Sequence, residues 1–300
     1  MRVSSVVDDY LLLWILLSVG VGLAVPDVAI VTRASTPILA VMVGSISLTL
    51  TVDEFRSVDR SALGVVLVGH VAMPFLGFGI ARLLGLSPAL TAGFVLLGAV
   101  TPELVTPTMT ELAGGDTALA STALVVGGLG STVFVPVVVT ALLGSGVEVR
   151  SWAIVEQLLL AVVLPMGVAL AVRARYDDRV SSYEDSYTTV SAVMVILIIG
   201  GVTAANAGLV RSNLAVVATV ALGAVALNAA GYALGWFGGR RAAGPTRTAT
   251  TLSVGMRDFA VAAALVVAAG FPTVAALPAV TFGVVEMVSS AGLVRVFGRE

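Results

Sequence analysis

Apolar residues run along this chain in long blocks, and short polar or Gly/Pro-rich turns separate them. A helix needs roughly 20 predominantly apolar residues to cross a bilayer. The pattern predicts ten such spans, near residues 10–25, 36–51, 62–84, 88–112, 117–143, 152–172, 188–209, 214–237, 248–270 and 273–295. The first could pass for a secretory leader, with Leu23-Ala24-Val25-Pro26 as a loose cleavage site. Its flank carries Asp8, Asp9 and a single arginine, a poor positively charged region, so it reads as a span.

Composition agrees. The chain is 58% apolar and 11% charged, against about 25% charged in soluble domains, so an all-α integral membrane protein is expected. A membrane lipid surround is implied, and no nucleic-acid partner. The net charge of -2 says little about partners. With no cysteine in the sequence, disulfides, thiolate metal sites and cysteine nucleophiles are excluded. All 16 basic residues are arginine, a bias that fits a high-GC prokaryotic genome and hence a plasma or inner membrane.

The arginines also orient the spans. With ten spans, the termini and the loops on their side hold Arg2, Arg56, Arg60, Arg173, Arg175, Arg179, Arg240, Arg241, Arg247, Arg295 and Arg299. The other side holds Arg33, Arg82, Arg150 and Arg211. This eleven-to-four bias puts both termini in the cytoplasm by the positive-inside rule. Arg257 alone is left well inside a span.

At the bilayer centre an Arg or Asp costs about 2.5–3.5 kcal/mol on insertion scales, so Arg257-Asp258 in the ninth span is the default functional site. The fourth span carries a second oddity, Thr101-Pro102-Glu103-Leu104-Val105-Thr106-Pro107. Each proline removes a backbone donor and clashes with the preceding turn, so this helix should unwind around Glu103. Ten spans with both ends on one side divide into two inverted sets of five, residues 1–145 and 150–300, within a single transmembrane unit. Shifting the first set by 155 residues lays Pro102-Glu103-Leu104 on Arg257-Asp258-Phe259. Broken helices in matching positions of two repeats point to a transport site.

These residues resemble a known family. Gly255-Met256-Arg257-Asp258 resembles the Gly-Met-Gln-Asn signature of the bile acid:sodium symporters. Leu112-Ala113-Gly114-Gly115-Asp116, Val163-Leu164-Pro165, Ile196-Leu197-Ile198-Ile199-Gly200 and Asn228-Ala229-Ala230-Gly231 add to the likeness in order and spacing. The resemblance implies ten helices in two inverted five-helix repeats, arranged as a panel and a core. It also implies that helices 4 and 9 break and cross beside two sodium sites and an organic-anion pocket. The family's sodium ligands, however, fall here on Ser253, Arg257, Asp258, Thr106, Pro107, Ala120, Leu124, Gly69 or His70, and Glu286-Met287. Most of the oxygen-bearing side chains a sodium ion needs are gone, and a guanidinium, fixed positive, stands where an ion was held.

The expectation is a secondary transporter for a small organic anion, coupled to protons in preference to sodium, with no resident cofactor and at most a weak sodium site. Substrate binding is placed on Arg257, Asp258, Thr106, Asn228 and Glu286, and ion coupling on Glu103, Ser253, Met256, Asp258, Thr108 and His70. Arg257 is expected to have Glu103, Asp258 and Glu286 within reach. One arginine against three carboxylates leaves an excess negative charge, which favours taking up a proton or a cation. Alternatives remain. Arg257-Asp258 could be a structural pair locking two helices, and His70 a packed core histidine. An arsenite extruder would share the fold, but its fourth-span cysteine is absent. A membrane-embedded aspartyl protease would need a Gly-x-Gly-Asp run, and Ala113-Gly114-Gly115-Asp116 lacks the first glycine.

Overall fold

The computed structural model describes residues 10–51, 58–144 and 150–298. Among them every regular element is helical. We number the principal helices α1 (Leu11–Ala24), α2 (Ser35–Ser47), α3 (Arg60–Leu83), α4 (Pro88–Ala99), α5 (Thr106–Leu112), α6 (Thr117–Leu143), α7 (Ser151–Arg175), α8 (Glu184–Ala205), α9 (Leu214–Gly238), α10 (Gly244–Gly255), α11 (Phe259–Ala268) and α12 (Leu277–Phe297). Among the described residues eight apolar stretches are long enough to cross a membrane, and α1 and α4 are shorter apolar helices. The chain is a multi-pass membrane protein.

The differences from the apolar pattern have local causes. The second stretch starts earlier than expected, at Pro26, because Pro26–Ala34 coils as a 3-10 helix that runs into α2. The sixth carries a π-helical segment, Leu159–Val163, just ahead of Pro165. A proline has no N–H to give back to the preceding turn, and widening that turn accommodates it. The fourth and ninth stretches are interrupted. α4 stops at Ala99, where Val100 turns extended (ψ 168°), and helix resumes at Thr106 with Pro107 in its first turn. α10 stops at Gly255, Met256 is extended (ψ 127°), and α11 begins after Asp258.

Arg2, Arg56 and Arg299 lie outside the described residues. Most other arginines sit at helix ends, but Arg173, counted above among the loop arginines on the side of the termini, is 4% exposed. It pairs with Asp177 and Glu184, both at 2.7 Å, and donates to the Leu48 carbonyl at 3.1 Å. The α7–α8 connection is therefore a clasp onto the end of α2.

Two packing groups result. α8 packs on α1, α2 and the 3-10 turn between them, with α7 against α2; α3 to α6 and α9 to α12 form the second group. Close contact in the second group depends on glycine, as expected from small-residue packing in membranes. A methyl group on Gly235 of α9 would fall on the backbone of Thr250 and Thr251, whereas one on Gly64 of α3 would meet nothing within 4 Å. Gly235→Ala is thus expected to cost about 1–3 kcal/mol through overpacking. Gly64→Ala should be neutral or stabilising by up to about 1 kcal/mol. Thermal unfolding of the two variants in the same detergent distinguishes them.

Candidate functional site

The two interruptions cross and bond to each other. The Glu103 N–H donates to the Met256 carbonyl (3.4 Å), and the Asp258 N–H donates to the Thr101 carbonyl (3.0 Å). Unwound backbone at membrane depth survives only where protein or a wet cavity satisfies its polar groups. Here each break supplies the other. Further side chains complete the arrangement. Asp258 Oδ1 accepts from the Val261 N–H at 2.8 Å and caps α11. Glu286 of α12 accepts the Arg257 N–H through Oε2 at 2.6 Å. Asn228 of α9 donates to the Gly255 carbonyl at 3.2 Å and accepts from the Ser289 hydroxyl at 2.7 Å.

The Arg257 side chain, wholly buried, runs toward the end of α4. Its Nη2 donates to the carbonyls of Gly98 (2.9 Å) and Val100 and lies 2.7 Å from His70 Nδ1. Nη2 has two hydrogens for these three acceptors, so His70 Nδ1, an acceptor because a guanidinium only donates, shares a hydrogen with the carbonyls. The His70 ring also packs 5.1 Å from Phe134. The last carbonyls of a helix are unpaired and carry the negative end of its dipole, so this is a natural seat for a cation.

Carboxylates are arranged differently from the expectation. Glu103, Asp258 and Glu286 are 2%, 0% and 0% exposed, but among the described residues none forms an ion pair with the guanidinium within 4.0 Å. Asp258 and Glu286 are turned to backbone N–H groups, and Arg257 to backbone carbonyls. The geometry also corrects the simple interhelical-pair reading, since adjacent side chains here point to different partners. Buried polar atoms remain without partners: Glu103 Oε2, Asp258 Oδ2, Glu286 Oε1, Ser253 Oγ, Thr106 Oγ1 and two guanidinium nitrogens. Native interiors pair nearly all such atoms, so this cluster is where a proton, cation or polar solute group has something to bind.

A cavity of about 310 Å³ opens beside the crossing, between the two packing groups. Ile46 and Ser191 line it from one group, and Glu103, Thr108, Phe259 and Met287 from the other. Of the predicted ion-coupling residues, Glu103 and Thr108 reach it, while Ser253, Met256, Asp258 and His70 do not. None of the residues expected to bind substrate (Arg257, Asp258, Thr106, Asn228, Glu286) is on its wall. Met256 contributes its carbonyl to Glu103 and packs its side chain with Ala113 and Leu252. Sequence reasoning missed Gly98 and Val100, which act through carbonyls and leave no side-chain signal. It also missed Ser289, whose position three residues after Glu286 on one helix face was the available clue.

A buried crossing of two broken helices in an apolar bundle defines a membrane transporter rather than an enzyme. Residues 36–213 match the model of the Sodium Bile acid symporter family, and the chain belongs to that family. It is 25% identical over 288 residues to the uncharacterized sodium-dependent transporter YocS of Bacillus subtilis (strain 168), spanning 94% of this chain and 88% of that protein. It is 27% identical over 181 residues to the probable sodium/metabolite cotransporter BASS3, chloroplastic, of Oryza sativa subsp. japonica, spanning 59% of this chain and 43% of that protein.

Asp258 is expected to act chiefly as a helix cap in the unliganded protein. Asp258→Asn, which keeps an accepting oxygen, should be nearly neutral for stability, and Asp258→Ala should cost about 0.5–2 kcal/mol. Equal losses in the two variants, measured by thermal unfolding, would show instead that the charge matters to the fold.

Proposed function

We propose that this protein is a ten-span secondary transporter of a small organic solute, working by alternating access between a panel (α1, α2, α7, α8) and a core (α3 to α6 and α9 to α12). Arg257 is its built-in cation and replaces a transported sodium ion. The observation that carries this reading is the guanidinium's hold on the Gly98 and Val100 carbonyls and on His70. Those acceptors offer a cation what a sodium site offers, and here they are already in use. Coupling falls to the remaining carboxylates, Glu103, Asp258 and Glu286, with a proton preferred over sodium.

The inverted-repeat reading is supported by the crossing itself. A shift of 155 residues carries Thr101 and Glu103 onto Met256 and Asp258, and it exchanges the two backbone bonds that join the breaks. The same shift carries residues 88–99 of α4 onto 243–254, where α10 runs from Gly244 to Gly255. The names of both relatives carry sodium, and sodium coupling through altered ion sites is the competing reading. An organic anion bound by Arg257 would require a conformation in which that side chain leaves the α4 carbonyls. Both termini lie on the cytoplasmic side of a prokaryotic plasma membrane in this reading, and the cavity, close to Leu11, Leu112 and Thr188, opens toward the same side.

The absence of native cysteine makes a direct test clean. Thr108→Cys on the cavity wall is expected to react with a membrane-impermeant maleimide from either side of the membrane, in proportions that pH changes and sodium does not. Reaction from one side under every condition would contradict alternating access. Proportions set by sodium would contradict the proton reading.

A further inference from the structure

A second guanidinium, away from the crossing, is held in place without an ionic partner. Arg247, near the start of α10, has its Cζ 3.9 Å from the centroid of the Trp236 ring on α9. Trp236 in turn stacks on Phe297 of α12, with ring centres 5.6 Å apart and planes at 3°. The Arg247 carbonyl accepts from the Thr250 and Thr251 hydroxyls at 2.9 and 2.7 Å, so backbone and side chain are both fixed. Its charge, however, is unpaired. Among the described residues no carboxylate lies within 4.0 Å of this guanidinium, and its Nε has no hydrogen-bond partner.

Arg247 lines a cavity of about 260 Å³ that lies wholly within the second packing group, where the α5–α6 turn, the α9–α10 turn and the end of α12 meet. Thr248 adds a hydroxyl to the wall, and among the described residues no acidic side chain does. The rim is apolar. Leu112, Phe237 and Val296, chain neighbours of the wall residues Ala113, Trp236 and Phe297, are 62%, 66% and 58% exposed. Arg240, Arg241 and Arg295 stand at the adjoining helix ends. A fixed guanidinium fork suits an anion with several acceptor oxygens, a phosphate above all. A soluble anion would use the fork and leave the rim bare, whereas a lipid uses both. A choline headgroup would bring a cation among like charges, and an anionic one meets the local field that basic residues at a membrane surface provide.

We propose that this cavity holds the headgroup of an anionic phospholipid, with its phosphate on Arg247 and its acyl chains along Leu112, Phe237 and Val296. Thr248 supplies a second donor, and the Trp236–Phe297 stack keeps the guanidinium in position. The site is separate from the helix crossing. It requires that the chain spans a membrane and does not depend on how solute transport is coupled.

Three probes test it: phosphatidylglycerol, phosphatidylcholine with the same acyl chains, and inorganic phosphate. Each would be titrated into the delipidated full-length protein in dodecyl maltoside at constant ionic strength. Binding is read from the rise in melting temperature and from the lipids retained in native mass spectrometry. Phosphatidylglycerol is expected to bind at least tenfold more tightly than phosphatidylcholine, and inorganic phosphate more weakly than either. Arg247→Gln should weaken phosphatidylglycerol by tenfold or more, while Arg211→Gln, at an exposed arginine off this cavity, changes it less than twofold. Arg247→Lys keeps the charge without the fork; it should give an intermediate loss and serves if the glutamine variant does not fold. The proposal is overturned if phosphatidylcholine binds as well as phosphatidylglycerol, or if phosphatidylglycerol binding is absent or survives Arg247→Gln. An equal, Arg247-dependent rise with inorganic phosphate also overturns it, since that marks a site for a free anion.

Discussion

Two helix ends stop in the middle of this protein, and the hold of one guanidinium on the carbonyls of Gly98 and Val100 lets them do so. In a hydrocarbon environment an unpaired carbonyl costs several kcal/mol, so a helix cannot end at that depth unless something accepts the task of pairing it. Arg257 does this for α4. Asn228 does it for the Gly255 carbonyl at the end of α10, and the two extended strands of backbone pair with each other at Thr101–Asp258 and Glu103–Met256. Remove the guanidinium and the acceptors at the end of α4 have no donor, while the buried carboxylates Asp258 and Glu286 lose a compensating charge.

The rest of the molecule follows from protecting that crossing. α3 and α9 pack against α4 and α10, close enough that Gly231 and Gly235 leave no room for a methyl group. α12 contributes Glu286 and Ser289. The other packing group, clasped at Arg173, Asp177 and Glu184, packs directly on α6, α11 and α12 of the core, and the cavity lies at that boundary. In the proposed reading the fixed cation in the core stabilises the breaks, and the cavity at the boundary, with Glu103 on its wall, is where solute and coupling proton meet.

Much of this was legible in the residues. Pro102 and Pro107 announce a broken helix because proline has no N–H to give, and Arg257-Asp258 announces a site because charges in an apolar span are expensive. What the side chains of that pair do was not legible. Arg257 was expected among the carboxylates, by simple charge attraction, but backbone carbonyls left bare by the end of α4 compete for it, and a sequence does not display carbonyls. The cavity was hidden for a related reason. Its wall is assembled from α1, α2, α5, α8, α11 and α12, and apolar residues such as Ile46 and Phe259 look the same in a sequence whether they face lipid, core or solute. The π segment ahead of Pro165 and the buried clasp of Arg173 depend on local geometry that periodicity does not resolve.

The claim that Arg257 stands in for a sodium ion is tested most directly by the sodium dependence of the melting temperature in the wild type and in Arg257→Gln. Sodium chloride would be compared with N-methyl-D-glucamine chloride at equal ionic strength. The account predicts no sodium-specific stabilisation of the wild type, because the acceptors are occupied. It predicts a rise with sodium in the variant, where an uncharged side-chain oxygen again stands beside the Gly98 and Val100 carbonyls. A sodium-specific rise in the wild type that Arg257→Gln leaves unchanged would contradict it.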